Sequence, residues 1–252
     1  MISKKQIQLL TSLQIKKFRD EHGLFIAEGE KIAAVILNSS YKIHSVYATV
    51  EWLKRHDRKG DSSIPHYEVT PNDLERISGM KTPQEVIVVA VIPDEDFDIK
   101  DLKKGLTLVF DEIKDPGNLG TIIRIADWFG IKNIVCSMDS VDVYNPKVIQ
   151  STMGSFCNVK VSYMPLEDLF SAKLSIPLYG TSLDGDNIYE CELKKNALLL
   201  FGNESRGIKK EFNNYISHKI KIPSYNKEAL KAESLNISVA TGIVCAEFLR
   251  RI

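Results

Sequence analysis

The sequence predicts an α/β protein with two domains, and three observations support this fold class. Short apolar runs rich in β-branched residues alternate with amphipathic segments along the 252 residues. Several apolar runs stop at glycine or proline and are followed by polar, turn-forming residues, which is typical of buried strands. An acidic stretch that begins at Pro93 interrupts the alternation. We therefore predict one domain over residues 1–93, a linker over 94–104 and a second domain over 105–252.

The composition limits the class of protein. Apolar residues make up 44% and charged residues 26% of the chain, and the formal net charge is +0, as in an ordinary globular protein. No apolar run approaches the roughly 18 residues of a membrane span, and no apolar signal region follows the N-terminal lysines, so we expect a cytoplasmic protein with no membrane segment. The four cysteines form no Cys-x-x-Cys pair and the five histidines have no metal-ligand spacing, so we expect no metal.

The first domain is predicted to be a small three-layer α/β domain. Residues 3–20 place apolar side chains among lysines at the spacing of an amphipathic helix. The predicted strands are 24–30, 46–49, 66–69 and 86–92, separated by predicted helices at 31–37, 51–56 and 71–77. Residues 1–60 contain eleven Lys or Arg and six Asp or Glu, a local net charge of +5. This excess is compatible with an RNA-binding surface and also with an ordinary solvated one.

The second domain continues the alternation of strands and helices. The predicted strands are 106–110, 134–136, 159–163, 177–180, 198–201 and 219–222, and the predicted helices are 121–130, 146–153, 166–174 and 234–251. The last of these helices is apolar nearly all round. A helix without a polar face must be buried on more than one side, so we predict that it forms a subunit interface.

Polar side chains follow two of these strands where each strand ends. Gly202-Asn203-Glu204 comes directly after the strand at 198–201. Ile222-Pro223 ends the last strand and leads to Ser234-Leu235-Asn236. Ligands bind outside the carboxyl ends of the strands of an open α/β sheet. These two segments therefore predict a ligand site.

A third segment, Gly117-Asn118-Leu119-Gly120, lies between a strand and a helix, as a dinucleotide-binding loop does. Its spacing is not Gly-x-Gly-x-x-Gly, and no acidic residue ends the next strand, where Cys136 stands. Neither a Walker lysine nor a Gly-x-Ser-x-Gly elbow is present. The sequence thus disfavours a nucleotide-dependent redox enzyme and a serine hydrolase.

Three side chains near these segments each have a structural and a functional interpretation. Arg124 could form a surface ion pair with Asp127 or Asp111, or clamp a phosphate with its planar guanidinium. Glu204 could accept hydrogen bonds from backbone amides, or belong to an active site. Ser234 could be the N-cap of the last helix, or a site residue.

The three segments together resemble a known family. The sequence N-L-G-T-I-I-R over 118–124, Gly202-Asn203-Glu204 with Gly207, and Ile222-Pro223 followed by 234–240 are similar to the three motifs of the SpoU, or TrmH-like, RNA ribose 2′-O-methyltransferases, in order and at family-like spacing. Upstream, residues 13–19 and 25–29 resemble the family's N-terminal substrate-binding domain, which has a fold like ribosomal protein L30e.

The resemblance implies a fold and an activity. The second domain is expected to be an α/β knot, a deep trefoil knot with a mostly parallel sheet, and to assemble as a homodimer. The expected reaction is methyl transfer from S-adenosylmethionine to a ribose 2′-hydroxyl, in ribosomal RNA by analogy with relatives that carry such an N-terminal domain. The alternatives are transfer RNA as the substrate and a catalytically silent RNA-binding assembly factor of the same fold.

The resemblance also assigns roles to particular residues. The expected catalytic residues are Arg124, Asn118, Glu204, Ser234 and Asn236. The expected cofactor-binding residues are Thr181, Ser182, Gly202, Asn203, Gly207, Ile222, Pro223 and Leu235. The expected RNA-binding residues are Lys16, Lys17, Arg19 and Lys31. Many relatives carry arginine where Gln150 stands, and this departure removes one cation that would contact RNA or a partner subunit.

Overall fold

The structure is a computed structural model that describes residues 2–56, 64–94, 97–172, 174–226, 228 and 233–250. Glu95 and Asp96 of the predicted linker, and Arg251 at the predicted end of the last helix, lie outside these residues. The chain forms two compact units. The first unit comprises residues 1–95 and 142–157, and the second unit comprises residues 96–141 and 158–252.

The first unit contains a four-stranded mixed sheet in the order β1-β4-β2-β3. Its elements are α1 (Lys4–Ser12), α2 (Lys16–His22), β1 (Leu24–Glu28), α3 (Glu30–Ile36), β2 (Ile43–Ala48), α4 (Val50–Arg55), β3 (His66–Glu68), α5 (Pro71–Ile77) and β4 (Val86–Val91). Strand β4 is antiparallel to both β1 and β2, and β3 is parallel to β2. The almost unbroken β-branched sequence of β4 suits its position between two strands.

The prediction of one helix over residues 3–20 is wrong, because two helices stand there. The Ser3 side chain caps α1 in a capping box with Gln6. The chain then leaves the helix at Leu13, whose carbonyl accepts a hydrogen bond of 2.9 Å from Nη1 of the buried Arg19. Gly23, with φ of 62°, ends α2 in the left-handed conformation that favours glycine.

Residues 142–157 pack within the first unit, although the sequence-based division places them in the second domain. They form helix α7 (Pro146–Thr152), which packs against β1, and a short 3₁₀ turn at Ser155–Cys157. The Phe25 ring of β1 lies 4.6 Å from the Tyr144 ring and 5.9 Å from the Phe156 ring, measured between centroids. Aromatic contacts of this kind hold the segment to the sheet.

The second unit contains a six-stranded parallel sheet in the order β10-β8-β9-β5-β6-β7. Its elements are β5 (Leu106–Phe110), α6 (Pro116–Trp128), β6 (Asn133–Cys136), β7 (Lys160–Tyr163), α8 (Leu166–Ser171), β8 (Leu178–Asn187), β9 (Ala197–Phe201), β10 (His218–Lys221) and α9 (Ile237–Arg250). Strands β5 and β9 are buried along their whole length. These elements confirm the predicted α/β class with its mostly parallel sheet, whereas the knot stays a prediction.

Strand β8 extends beyond the predicted 177–180 because it contains a bulge. Gly180 pairs with Lys219 of β10, and the next paired residue of β8 is Asp186, opposite Ile220. The intervening residues 181–185 leave the ladder at the carboxyl end of the neighbouring β9. At Gly185 the chain returns so close to β10 that a Cβ would lie 2.6 Å from the Ile220 carbonyl carbon.

Helix α9 begins three residues later than predicted and packs against α6. Ile237, Val244 and Phe248 are buried, whereas Val239 is 51% exposed. The apolar sequence therefore covers two faces, one in the core of the unit and one at its surface. Among the described residues, none of the helices combines the length and apolarity that a bilayer crossing requires.

Candidate active site

The candidate site lies at the carboxyl edge of the parallel sheet of the second unit. Strands β5 and β9 are neighbours in this sheet, so the loops that follow them lie side by side. The loop after β5 covers residues 111–115 and leads into α6, and the loop after β9 covers residues 202–208. Side chains of Asn203 and Arg206 connect these two loops, and Asn118 of α6 connects the loop after β9 to Asn236 at the start of α9.

Asn118 is positioned by the cap of helix α6. The Asp115 side chain accepts a hydrogen bond of 2.7 Å from the Asn118 backbone N–H, and Pro116 occupies the first helical turn, where its missing N–H costs nothing. The Asn118 side chain consequently projects from the first turn at the edge of the sheet.

The Asn118 side chain joins the three motifs. Its Nδ2 donates to Glu204 Oε1 at 2.5 Å, and its Oδ1 accepts from Asn236 Nδ2 at 3.0 Å. A carboxylate only accepts hydrogen bonds, so the nitrogen of Asn118 must face Glu204 and the oxygen must face Asn236. The structure therefore brings together three of the five predicted catalytic residues.

Asn236 also caps helix α9, a role that the sequence analysis considered for Ser234. Asn236 Oδ1 accepts hydrogen bonds from the Ser238 backbone N–H at 3.0 Å and from Ser238 Oγ at 2.6 Å. The interpretation of Ser234 as the N-cap is wrong, because the helix begins at Ile237. Ser234 is exposed and forms no hydrogen bond with any residue that the structure describes.

Glu112 connects the loop after β5 to the loop after β9, and the sequence-based prediction missed it. Its carboxylate pairs with Arg206 and lies 3.2 Å from Lys114 Nζ, and its carbonyl accepts from Asn203 Nδ2 at 3.2 Å. Its φ of 65° is unusual for a residue other than glycine. The Glu112 N–H donates to Ser137 Oγ at 2.8 Å, which supports this conformation. We refer to the Glu112–Arg206 ion pair as the loop clamp.

Gly202 and Gly207 allow the loop after β9 to close on itself. Asn203 and Gly207 exchange two backbone hydrogen bonds of 3.0 and 2.8 Å. A Cβ on Gly202 would lie 2.2 Å from the Gly207 carbonyl carbon, so a side chain there would break this closure. Gly207 itself has φ of 68°. Both glycines therefore have a structural requirement in addition to any contact with a ligand.

Arg124 lies in the third turn of α6 with an exposed side chain. The hypothesis of a surface ion pair with Asp127 or Asp111 is wrong. Asp127 accepts a hydrogen bond of 3.3 Å from Asn158, and Asp111 lies 3.4 Å from Lys209 Nζ. Across the described part of the chain, no residue forms an ion pair or hydrogen bond with the guanidinium of Arg124. This cation remains available to a substrate.

The predicted cofactor-binding residues lie in the bulge of β8 and after β9 and β10 along the same edge. Thr181 Oγ1 donates to the Leu200 carbonyl at 3.2 Å, and Ser182 Oγ donates to the Asp184 carboxylate, a hydrogen bond that lowers the pKa of this group. Ile222 and Pro223 come directly after β10, and Leu235 is 48% exposed. These segments therefore lie at the bulge of β8 and at the ends of β9 and β10.

Of the four predicted RNA-binding residues, Arg19 was predicted wrongly. Its side chain is 1% exposed and donates to Asp142 Oδ2 from Nη2 at 2.7 Å and from Nε at 3.2 Å. A buried arginine with these partners cannot contact RNA. Lys16 pairs with Asp20 at 2.7 Å at the surface, and Lys17 and Lys31 are exposed.

Two of the cysteines are buried thiols. Burial raises the pKa of Cys136 far above its ordinary value and that of Cys245 to about 12. Neither is a thiolate at neutral pH, so neither acts as a nucleophile. In the part of the chain that the structure describes, no group of three or more His, Cys, Asp or Glu residues could hold a metal ion.

Comparisons with known proteins agree with the motifs. A protein from Porphyromonas gingivalis described as belonging to the TrmH family shares 35% identity over 100% of both chains, with a TM-score of 0.90. The AdoMet-bound rRNA methyltransferase from Sinorhizobium meliloti shares 26% identity, with a TM-score of 0.86 over 100% of this chain and 97% of that one. A Bacillus subtilis 23S rRNA (guanosine(2553)-2′-O)-methyltransferase is 28% identical over 92% of this chain and 91% of its own.

Two family models together match most of the sequence. The model of an MRM3-like substrate binding domain matches residues 4–88, which form most of the first unit. The model of the SpoU rRNA Methylase family matches residues 105–246, which include Asn118, Glu204 and Asn236. This match confirms the resemblance drawn from the three motifs. The chain belongs to the SpoU rRNA methylase family.

Proposed function

We propose that this protein transfers a methyl group from S-adenosylmethionine to a ribose 2′-hydroxyl of ribosomal RNA. The observation that carries the proposal is the hydrogen-bonded chain Glu204–Asn118–Asn236, which brings the three family motifs to one edge of the sheet. An exposed cation, Arg124, lies six residues after Asn118 on the same helix. Relatives of similar length are named as 23S rRNA 2′-O-methyltransferases.

The strand ends fit S-adenosylmethionine, which supplies a methyl group on a positively charged sulfur. The residues that would hold it are Thr181, Ser182, Gly202, Ile222 and Leu235. The bulge at 181–185 takes backbone groups out of the β8–β10 ladder, and Leu183 in this bulge is 78% exposed. Backbone polar groups outside this ladder, beside an exposed apolar side chain, suit a ligand that combines a polar amino-acid part with a flat aromatic base.

Arg124 acts on the attacking oxygen by electrostatics. A guanidinium keeps its proton in proteins, so Arg124 cannot be the general base. Its five donors suit a phosphate of the RNA together with the 2′-oxygen. The phosphate held in this way would accept the proton of the 2′-hydroxyl, and the guanidinium would stabilise the negative charge that develops on the oxygen as this proton leaves. A fixed cation at that oxygen stabilises the transition state more than the ground state.

Asn118 and Asn236 act by orientation, and Glu204 acts through them. Asn118 has one donor on Glu204 and one acceptor on Asn236, so its side-chain amide is fixed in one orientation. Ser234, which is exposed beside this network, would complete the contacts to the ribose. Holding the ribose hydroxyl within reach of the methyl group supplies much of the catalysis in such a displacement.

The alternative function, a silent RNA-binding factor, predicts a degraded site. The hydrogen-bond network around Asn118 is instead complete, and the exposed Arg124 is in place. Calorimetry with S-adenosylmethionine tests this difference directly. A catalyst binds the donor and transfers a labelled methyl group to unmodified 23S rRNA, whereas a silent factor binds RNA without transfer. Transfer to transfer RNA alone would contradict the rRNA substrate.

We also propose that the protein is a cytoplasmic homodimer that uses α9 and the adjacent α6. Trp128 at the end of α6 is 86% exposed and Val239 of α9 is 51% exposed. Large apolar side chains on two packed helices are a common feature of subunit interfaces. Sedimentation of the intact protein tests this point, and replacement of Val239 by Glu should shift a dimer towards monomers. A monomeric intact protein would contradict it.

A further inference from the structure

A pocket lies at the amino edge of the parallel sheet, at the other end of the strands from Asn118. It is formed where the chain enters β9, β5 and β6, three neighbouring strands. Each of these entry segments carries one lysine that lines the pocket: Lys195 before β9, Lys104 before β5 and Lys132 before β6. The parallel topology therefore sets three cations around one cavity.

The residues that line this pocket carry an excess of positive charge. None of the described residues that line it is acidic. All three lysines are exposed, and none of them forms an ion pair with another described residue. The whole chain has a formal net charge of +0, so three like charges around one cavity are a local departure from the average. Their mutual repulsion is relieved when an anion binds between them.

Neutral donors accompany the lysines. Asn196 Oδ1 accepts a hydrogen bond of 2.8 Å from the Gly105 N–H, so the acceptor of this amide is used and its Nδ2 remains as a donor. Asn133 lines the same cavity. Three ammonium groups and side-chain amides form a set of hydrogen-bond donors, which suits phosphate oxygens.

The size of the cavity distinguishes between anions. Its volume is about 240 Å³. Pockets that enclose a cofactor or a drug-sized ligand have about 300–1,000 Å³. This cavity is thus too small for a second nucleotide-sized cofactor and is wide enough for a phosphate group.

We propose that the pocket lined by Lys104, Lys132 and Lys195 binds backbone phosphates of the RNA substrate. This inference rests on the proposed function in one respect, that the substrate is RNA. Phosphate contacts fix the position of a protein on a nucleic acid without reading its sequence. The pocket would add a phosphate-binding surface at the amino edge of the parallel sheet of the second unit.

The test compares two charge-matched variants of the full chain. Lys132→Gln/Lys195→Gln removes two cations from the pocket, and Lys100→Gln/Lys210→Gln removes two exposed cations of the same unit that do not line it. The affinity for unmodified, transcribed 23S rRNA is measured at several salt concentrations. Each lost phosphate contact lowers the slope of log K against log salt by about 0.7–0.9, so the pocket variant should lose about 1.4–1.8 and the control almost nothing. Equal slopes for the two variants would overturn the proposal.

Lysine modification of the unaltered protein separates RNA from free anions. An acetylating reagent is applied with 23S rRNA, with inorganic phosphate and with neither, and mass spectrometry reports each lysine. Protection of the three pocket lysines by RNA alone supports the proposal. Equal protection by inorganic phosphate, with an unchanged salt slope, would assign the pocket to a small anion instead. If only this proposal is wrong, the unaltered chain still transfers methyl groups to RNA. If the proposed function is wrong, no transfer by the unaltered chain is detected.

Discussion

Arg19 and Arg124 differ in their surroundings although the sequence motifs made both of them candidates for binding RNA. Arg19 lies in the first unit, is 1% exposed and forms two hydrogen bonds to Asp142. Arg124 lies on α6 in the second unit with an exposed side chain and no ion pair among the described residues. The guanidinium of Arg19 is used by the fold, whereas that of Arg124 has no partner among the described residues, which supports the proposal that it binds a ligand. Partners and burial decide the role of an arginine, and residue type does not.

The largest effect expected is on stability, at Arg19. Arg19→Ala leaves the Asp142 carboxylate, whose side chain is 15% exposed, without its cation. Removing one partner of a buried ion pair destabilises a protein by about 3–5 kcal/mol. Urea unfolding should show this loss. The double variant Arg19→Ala/Asp142→Ala should be more stable than the single one, because no charge is left unpaired. An unchanged midpoint for Arg19→Ala would contradict the structural role.

Arg124→Ala should affect catalysis and spare stability. Loss of one preorganised donor at a developing oxyanion costs roughly 100- to 1,000-fold in rate, or about 2.7–4 kcal/mol. Methyl transfer to rRNA should fall by this factor, while the Kd for S-adenosylmethionine stays within a few-fold and the unfolding midpoint is unchanged. Arg124→Lys is the control, because it keeps the charge and loses the planar fork. An equal loss of methyl transfer and of affinity for S-adenosylmethionine would instead show that Arg124 only maintains the fold.

Breaking the loop clamp should have a smaller effect, and only on the affinity for the cofactor. The Arg206 side chain is 66% exposed and the Glu112 side chain is 12% exposed. Their ion pair therefore fixes the loop after β9 at its surface side. Arg206→Ala and Glu112→Gln should each weaken S-adenosylmethionine binding about tenfold, or about 1.4 kcal/mol. The double variant should be no worse than Glu112→Gln alone, since Arg206→Ala removes only an ion pair that Glu112→Gln has already removed. Additive losses would show that the two residues act separately.

The smallest effect expected is a pH dependence at Asp139. The hydrogen bond from Ser137 Oγ, of 2.6 Å, lowers the pKa of this carboxyl below its ordinary 3.8. A lowered pKa in the folded state stabilises the protein above the unfolded pKa, and the contribution is lost as the pH falls through the folded value. The difference in Tm between the protein and Asp139→Asn should thus be constant at neutral pH and disappear in acid. The group is at the surface, so we expect about 1 kcal/mol or less.

The sequence predicted most elements because their signals are local. Strand β5 was predicted at its observed bounds, since a run of apolar residues ends at a charged pair there. The break at Leu13 was missed because it depends on the side chain of Arg19, six residues further along. The bulge in β8 was missed for a similar reason, because only the approach to Ile220 of β10 shows why glycine stands at 185. Contacts between distant residues set these features.

The distinction between local signals and contacts of distant residues also holds for the candidate active site. Asn118, Glu204 and Asn236 were predicted from motifs, and their contacts place them together. Glu112 was missed although it is only the second residue after a buried strand. Its role depends on a φ of 65° and on Arg206, 94 residues away, neither of which the local sequence encodes. The motifs identified groups that a ligand would contact, and the residue that supports them became visible only in three dimensions.

The segment 142–157 has a consequence for protein engineering. Because it folds with residues 1–95, the chain passes from one unit to the other three times, and a cut near residue 96 does not yield two self-sufficient halves. A fragment that starts there would expose Val148, Ile149 and Phe156 to water. A chimera that borrows the substrate-binding module of a relative therefore has to transplant both pieces together, with the Arg19–Asp142 pair kept as a matched set.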